Sequence, residues 1–210
     1  MIVEQIEVMT RQNIDHEAVC ELIADSFRGK FQSLVRLDDT RITQLLGSLW
    51  IHDPNDLSST QVVAKEKGKV VGTLSLKWKG TRTPSKGAGQ IRFKPLFKQF
   101  GTLNVCKLVA GLHFLEYQPQ AHECYIEHIA IHSSHRNQGI GGQLLAWAQN
   151  YARCSEFDQL SLHVASMNEQ AIHLYEKKDF SIEASKYNAV RHFLFQTPRW
   201  HFMVCRTLNR

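Results

Sequence analysis

The sequence predicts an α/β fold, because segments with strand character alternate along it with segments that have helical spacing of apolar residues. The strand-like segments are 61–66, 70–78, 125–132 and 160–164. Helical spacing occurs at 19–27, 39–50, 91–117, 140–151 and 168–178. The length of 210 residues is typical of one domain. We therefore expect a single domain over residues 1–210.

Composition places the chain among ordinary globular proteins. No apolar run approaches the roughly 18 to 20 residues that span a bilayer, and the first residues lack the basic and apolar segments of a signal peptide. The net charge of +5 is mild, so nucleic acid is not the expected partner. Five widely separated cysteines without a C-x-x-C pair indicate reduced thiols, so we expect a cytoplasmic protein.

The N-terminal part predicts a strand, two helices and a hairpin. Ile2, Val3, Ile6 and Val8 sit among polar residues as in a strand. A helix with apolar residues at Val19–Phe27 is expected to end at Gly29, and a second to run from Asp39 to Trp50, ended by Asp53–Asn55. Gln61–Glu66 and Val70–Trp78 form the predicted hairpin around Lys67–Lys69.

The segment 79–122 is too long for a hairpin connection. Thr81–Gln90 reads as a loop, and Ile91–Tyr117 has helical spacing that Gly101 and Gly111 are expected to interrupt. The segment 82–98 holds five basic residues and no acidic one: Arg82, Lys86, Arg92, Lys94 and Lys98. These residues form either a solvated face, or a lid over the acceptor or a docking surface.

The central element is a strand, a turn and a helix between Tyr125 and Tyr151. The apolar run Tyr125–His132 precedes a polar turn at Ser133–Gln138, and three glycines follow at 139, 141 and 142. From Ile140 onward apolar residues recur at helical spacing. The first N–H groups of a helix lack intrahelical partners, and the helix dipole favours negative charge there. This turn therefore predicts a phosphate site.

Two common phosphate-loop patterns do not fit this turn, and a third one does. A Walker A loop needs Lys and then Ser or Thr after its last glycine, but Gln143 follows Gly142. A dinucleotide fingerprint needs a glycine where Leu144 stands. The segment Arg136–Gly141 instead fits the pattern R/Q-x-x-G-x-G/A after an I-A-I strand.

A second pattern follows in the C-terminal part. Leu160–Val164 alternates as a strand, and Asn168 is positioned to cap a helix that ends at Lys178–Phe180. Asp179 stands where a left-handed residue follows the helix, a position that usually favours glycine. Two further strands are expected from Ser181 and over His201–Leu208.

With these two patterns, the chain resembles the GCN5-related N-acetyltransferases, the GNAT superfamily, most closely from Cys124 to Phe180. The resemblance implies a mixed, strongly twisted sheet with helices on both faces, and 79–122 as a family-atypical insertion. It implies acetyl-coenzyme A as co-substrate, with the pantetheine arm lying between two splayed strands. The residues that it assigns to coenzyme binding are Ile129, Ala130, Ile131, Arg136, Asn137, Gln138, Gly139, Ile140, Gly141, Gly142, Asn168 and Tyr175.

The resemblance also assigns the chemistry of acetyl transfer to an amine. Tyr175 occupies the position of the general acid that protonates the departing thiolate. Glu127 resembles the proposed base of polyamine acetyltransferases. By alternation it should share a mostly apolar strand face with Ile129 and Ile131, where burial would raise its pKa. Glu123 and His163 are weaker substitutes.

Other chemistry is not expected. His122, His128, His132 and His135 with Cys124 lack the tight pairs of a metal site, so no metal is predicted. Without a nucleophile pattern, direct transfer is favoured and Cys124 is expected to be buried. The alternative is a catalytically inactive acyl-CoA-binding sensor or scaffold. The acceptor stays open between polyamine, aminoglycoside, amino acid and protein amine, and a homodimer is compatible with the family.

Overall fold

The computed structural model describes residues 6–50, 56–80, 91–187, 192, 197 and 199–207. Its strands are β1 Glu7–Thr10, β2 Ser59–Glu66, β3 Lys69–Trp78, β4 Glu123–Ile131, β5 Gln159–Ala165, β6 Ser181–Tyr187 and β7 Arg199–Arg206. Its α-helices are α1 His16–Ser26, α2 Arg28–Leu34, α3 Asp39–Leu49, α4 Phe93–Phe100, α5 Thr102–Leu115, α6 Ile140–Cys154 and α7 Glu169–Glu176. Predictions for Ile2, Val3, Asp53–Asn55, Thr81–Gln90 and Leu208 lie outside the described residues.

The seven strands form one mixed sheet in the order β1-β2-β3-β4-β5-β7-β6. Neighbouring strands are antiparallel except β4 and β5, which are parallel. The predicted hairpin is confirmed as β2 and β3, and Lys67 and Gly68 take positive φ values of 49° and 77° in its turn. The predicted α/β class is confirmed.

Helices cover both faces of the sheet, as predicted. On one face α6 and α7 pack on Leu74, Leu76 and Ile126, through Ile140 and Leu144 among others. On the other face the helices α1 to α5 form a second buried cluster against the sheet. The alternation of side chains along each strand supplies apolar contacts to both layers, which is why neither face of the central strands is left to solvent.

The first helical region differs from the prediction. Gly29 does not end a helix; it lies inside α2, and the break between α1 and α2 falls at Phe27, whose φ is −113°. The residues after the break form the separate helix α2, whose Phe31 and Leu34 are buried in the cluster that α1 to α5 share. The predicted helix at Asp39 is confirmed as α3, and Asp38 caps it by accepting a hydrogen bond from the Arg41 amide.

Two helices lie between β3 and β4, and only one of the two predicted breaks occurs. Gly101, with φ of 82°, separates α4 from α5 as expected. The break predicted at Gly111 is wrong, since α5 continues through it. A Cβ at Gly111 would lie 2.6 Å from Leu34 Cδ1, so the missing side chain lets α5 pack against α2.

The C-terminal elements agree with the predictions. Asn168 Oδ1 accepts a hydrogen bond from the Ala171 amide at the start of α7, which confirms the predicted cap. Asp179 has a φ of 62°, the left-handed conformation expected after this helix. β6 and β7 pair as the last two strands of the sheet.

Candidate active site

The two parallel strands at the centre of the sheet separate part-way along their length. β4 and β5 pair from Glu123 with Gln159 to Ile126 with Leu162, and no pairing between them is recorded beyond that point although both strands continue. The remaining edge of β4, residues 127–131, therefore faces a gap rather than a neighbouring strand. A gap of this kind accepts an extended molecule that pairs with backbone groups as a strand would.

The direction of the backbone N–H and C=O groups along β4 determines which residues can pair with a molecule in that gap. The His132 amide donates to Val71 O on the β3 side. Since backbone groups alternate in direction along a strand, those of Ala130 also point to β3, whereas those of Ile129 and Ile131 point to the gap. Ile129 and Ile131 can therefore pair with a molecule in the gap, whereas Ala130, which was also predicted to do so, directs its backbone groups to β3.

The turn after β4 leads to a helix N-terminus without a side-chain cap. Gly139 is the N-cap of α6 in a left-handed conformation, with φ of 83° and ψ of −4°. The first turn of α6 holds no acidic residue, and a Cβ at Gly139 would meet nothing within 4 Å. Asn137, Gln138 and Gly139 are exposed. These amides and the helix dipole suit a bound anion such as a phosphate.

The side chains of this turn and the next two glycines have separate structural roles. Arg136 Nε donates to Ile131 O at 3.3 Å, and Gln138 Nε2 donates to Ser134 O at 3.0 Å. A Cβ at Gly141 would lie 3.0 Å from both Ile131 Cδ1 and Leu174 Cδ2, so this buried glycine lets α6 approach β4 and α7. At Gly142 a Cβ would be 3.6 Å from Lys178 Cε, an ordinary contact.

A cavity of about 1240 Å³ adjoins the gap between β4 and β5. Its wall includes Glu127 and Ile129 of β4, His163 of β5, and Asn168 and Tyr175 around α7. The helices α1, α2, α3 and α5 supply much of the rest, so the segment between β3 and β4 also shapes the cavity. The structure thus brings together Glu127, Tyr175, Asn168 and Ile129, which the sequence separates by up to 48 positions.

Glu127 is in the cavity wall, but not in the environment predicted for it. A β-bulge shifts the register: Ser75 pairs with His128 and Leu76 with Ile126, so Glu127 has no partner in β3. The bulge turns the Glu127 side chain away from the apolar core under α6 and α7.

The surroundings of the Glu127 carboxylate are polar. Glu127 accepts a hydrogen bond from Ser75 Oγ at 3.3 Å and pairs with Lys77 Nζ, also at 3.3 Å. Its side chain is 40% exposed, whereas Ile129 and Ile131 pack against the opposite core. The predicted common apolar face with Ile129 and Ile131 is therefore wrong. The carboxylate is accessible from the cavity and has one lysine as its ion-pair partner.

Tyr175 lies on α7 with 7% of its surface exposed. Its ring packs against Phe180, with the two ring centroids 5.9 Å apart. Burial raises the pKa of Tyr175 above its ordinary value near 10. The phenol therefore stays protonated at neutral pH and is available as a proton donor in the cavity.

Glu123 and His163, the weaker candidates for the base, differ in their access to the cavity. His163 belongs to its wall, and its Nδ1 lies 3.2 Å from Tyr125 Oη. Glu123 is 1% exposed and is held by Tyr117 Oη at 3.2 Å, by the Gln120 amide at 2.7 Å and by Ser161 Oγ. The Glu123 carboxylate therefore supports the start of β4 and is not placed to take a proton from an acceptor in the cavity.

Cys124 is buried, as predicted. Burial, with a smaller effect of the neighbouring Glu123 carboxylate, raises the pKa of Cys124 to about 12. Because the thiolate is the nucleophile, a thiol with this pKa is a poor candidate for an acetyl-enzyme. This favours direct transfer.

Comparison with known protein families shows the family of this chain. The model of the Acetyltransferase (GNAT) family matches residues 17–180, which is most of the chain. The protein belongs to the GNAT acetyltransferase family. A comparison with curated proteins found no significant match.

Solved structures confirm the GNAT fold. The ribosomal-protein-S18-alanine N-acetyltransferase from Escherichia coli has 12% identity, a TM-score of 0.56, and coverage of 98% of this chain and 96% of its own. The PaiA N-acetyltransferase from Thermoplasma acidophilum, in complex with coenzyme A, has 13% identity, a TM-score of 0.59, and coverage of 96% of this chain and 99% of its own. A spermidine N-acetyltransferase chimera from Vibrio cholerae and hSSAT has 14% identity, a TM-score of 0.58, and coverage of 97% of this chain and 96% of its own. At these identities the likeness concerns the fold alone.

The GNAT domain carries no membrane-crossing helix in the part that the structure describes: none of its helices has both the length and the apolarity required. Within the same residues no group of three or more His, Cys, Asp or Glu is arranged to hold a metal ion. His128, one of the histidines considered for zinc, instead takes part in a buried polar network.

His128 was not assigned a role by the sequence. It is 8% exposed, and Gln61 Nε2 donates to its Nε2 at 2.9 Å, so the ring proton resides on Nδ1. Gln61 Oε1 in turn accepts a hydrogen bond from the buried Arg11. Burial lowers the pKa of His128 to about 4, which keeps the imidazole neutral.

The buried neutral imidazole predicts acid sensitivity of the fold. In the unfolded state the pKa of His128 is near 6.5, and in the folded state it is about 4. The contribution of the neutral His128 to the unfolding free energy is therefore fully present above pH 6.5 and is lost as the pH falls toward 4. We expect His128 to account for about 3 kcal/mol of lost unfolding free energy between pH 7 and pH 4. Urea unfolding of the wild type and His128→Gln at both pH values measures the difference. Equal losses in the two proteins would contradict this assignment.

The other cavity residues that sequence reasoning missed belong to unrelated segments. Lys30 of α2, Trp50 after α3, Lys77 of β3 and Trp200 of β7 all line the wall. None lies in either GNAT signature. A lysine or tryptophan that faces a cavity has no local pattern that differs from one in a core or on a surface, so the sequence offers no signal for them.

Proposed function

We propose that this GNAT domain transfers the acetyl group of acetyl-CoA directly to a primary amine of a small molecule or protein. The observation that carries the proposal is that Glu127 and Tyr175 line one cavity at the point where β4 and β5 separate. A carboxylate and a protonated phenol in one cavity supply the two proton transfers that amine acetylation needs.

The coenzyme would lie along the gap and end at the turn before α6. Ile129 and Ile131 present backbone groups to the gap, and the uncapped first turn of α6 suits the pyrophosphate. Asn168 and Tyr175 border the cavity at its α7 side. The residues proposed to hold the coenzyme are Ile129, Ile131, Arg136, Asn137, Gln138, Gly139, Ile140, Gly141, Gly142, Asn168 and Tyr175.

The proposed reaction balances with the residues present. Glu127 accepts a proton from the acceptor ammonium, directly or through one water, and leaves a neutral amine. The amine nitrogen attacks the thioester carbonyl carbon, an N–C bond forms and the C–S bond breaks. The nitrogen carries two protons after the attack and releases one of them to water, which leaves the neutral amide. Tyr175 donates its phenolic proton to the departing thiolate. The products are an N-acetyl amide and the coenzyme A thiol, and exchange with solvent restores the protonation of Glu127 and Tyr175.

The negative charge that develops on the carbonyl oxygen needs a donor in the same gap. The N–H groups of Ile129 and Ile131 point there and have no strand partner recorded on that side. A backbone N–H used in this way is worth about 3 kcal/mol of transition-state stabilisation. The gap between the strands thus serves both binding and catalysis in the proposal.

Two measurements on the full chain test this function. Calorimetric titration with acetyl-CoA should show binding near or below the micromolar range. A screen of primary amines, read out as thiol release and as the mass of the N-acetyl product, should find acceptors that depend on acetyl-CoA. A folded protein that binds no acetyl-CoA would overturn the proposal, and so would thiol release without an N-acetyl product.

Charge at the first turn of α6 should control coenzyme affinity. Gly142→Asp places a carboxylate beside the proposed pyrophosphate site, where repulsion should weaken acetyl-CoA binding at least tenfold. The same carboxylate is favourable for the helix N-terminus, so thermal stability should not fall. Gly142→Ala is the matched control, because it adds the Cβ without the charge. Equal affinities of the Asp and Ala variants would contradict a phosphate at this turn.

A further inference from the structure

Lys30 holds a cation in the wall of the proposed acceptor cavity. Its Nζ lies 4.5 Å from the centroid of the Trp200 ring and 5.1 Å from that of Phe27. All three residues line the cavity. Trp200 pairs with Ala165, the last residue of β5, so the Lys30 ammonium lies beside the end of the strand that diverges from β4.

The carboxylates of the described cavity wall are already engaged elsewhere. Asp56 accepts hydrogen bonds from Ser58 and Ser59. Glu116 lies 3.3 Å from His113 Nδ1 and accepts a hydrogen bond from Gln118, and Glu127 pairs with Lys77. Among the described residues Lys30 forms no ion pair.

The surroundings make an unpaired ammonium costly. Lys30 is partly buried between aromatic rings, and burial lowers the pKa of Lys30 to about 8. The two rings attract the ammonium through cation–π contacts, but they offer no oxygen that accepts its hydrogen bonds, as a carboxylate would. A cation that is partly desolvated and faces a cavity is therefore suited to bind an anionic group of the molecule that enters it.

The chemistry of the wall favours one carboxylate over other charged groups. A single ammonium acts as a point charge of +1, which matches one carboxylate, whereas phosphate groups are usually held by several donors or by arginine. The described wall contains no arginine. Lys30 disfavours a polycation such as a polyamine, because its ammonium would lie beside the charges of that molecule. Phe27, Trp50 and Trp200 provide apolar surface for the rest of the molecule.

We propose that the acceptor is a small amine that also carries a carboxylate, and that Lys30 binds this carboxylate while the amine lies at Glu127. The proposal rests on the proposed acetyl transfer and specifies its acceptor as an amino-acid-like molecule with an apolar body. Lys30 is then a specificity-determining residue.

Matched pairs of acceptors test the role of Lys30. Phenylalanine is compared with phenethylamine, and tryptophan with tryptamine, because each pair differs by the carboxylate. Wild type should acetylate the carboxylate-bearing member with the higher kcat/KM. Lys30→Met should lower that value about 10- to 100-fold, mainly through KM, and leave the value for the decarboxylated partner within about twofold.

The controls separate charge from packing. Lys30→Arg keeps the charge and should retain part of the preference. Lys107→Met removes an exposed lysine of α5 that does not line the cavity, and it should leave the preference unchanged. An equal loss for both members of a pair in Lys30→Met, or a wild-type preference for the decarboxylated amines, would overturn the Lys30 proposal and leave acetyl transfer intact. Acetylation of no amine at all would overturn the proposed function, and this proposal with it.

Discussion

Tyr175→Phe should lower kcat by about 10²- to 10⁴-fold, the usual range for loss of a general acid. Tyr175 is 7% exposed and packs on Phe180, and phenylalanine preserves that packing. The variant removes the proton donor alone, so the coenzyme thiolate must leave unprotonated or take its proton from water. Steady-state kinetics with acetyl-CoA and a working amine measure the loss.

Coenzyme affinity separates this effect from damage to the site. Calorimetry should give acetyl-CoA dissociation constants for Tyr175→Phe and wild type that agree within a few-fold. Tyr151→Phe is the matched control: Tyr151 is a partly buried tyrosine on α6 that packs against Trp78 and Trp147, outside the cavity wall. It should keep wild-type kcat. If Tyr175→Phe also turns over at the wild-type rate, Tyr175 is not the acid.

Glu127→Gln should lower kcat/KM about 100-fold or more near neutral pH. The amide keeps the shape of the side chain and can still accept the hydrogen bond from Ser75, but it cannot accept a proton. The deficit should shrink as the pH approaches the pKa of the acceptor ammonium, because the amine then enters the reaction already neutral. A pH–rate profile of the variant against wild type shows this convergence.

The control for Glu127 is another carboxylate of the same cavity. Glu116→Gln removes a negative charge from the wall at the end of α5, so a general electrostatic effect on acceptor binding should appear there too. We expect Glu116→Gln to change kcat/KM less than threefold. A constant deficit of Glu127→Gln at every pH would mean that Glu127 positions the acceptor and does not accept its proton.

Local patterns were sufficient to predict the elements that form the proposed coenzyme site. The strand, turn and helix from β4 to α6 follow from the change of apolar period at Gly139, and the cap at Asn168 and the left-handed Asp179 follow from residue type. These features depend on interactions within a few residues of each other, which is why the sequence is enough to predict them.

The errors arose where distant segments meet. Glycine often follows the last residue of a helix, but Gly29 lies within α2. Gly111 lies within α5, where the missing side chain leaves room for Leu34 of α2. Alternation put Glu127 on the wrong face, since the bulge depends on the pairing with β3. The direction of the Ala130 backbone likewise follows from which neighbour its strand pairs with.

The sequence by itself determined the α/β class, the family resemblance and the glycine turn before α6, and it made Glu127 and Tyr175 the candidates for the proton transfers. The tertiary structure alone decided that these two residues share a cavity, that Lys77 accompanies Glu127, and that Lys30 lies on Trp200 in the same wall. The reason is physical. A signature needs local backbone geometry, whereas the charge and shape of an acceptor site are sums over side chains from helices and strands that fold together from distant parts of the chain.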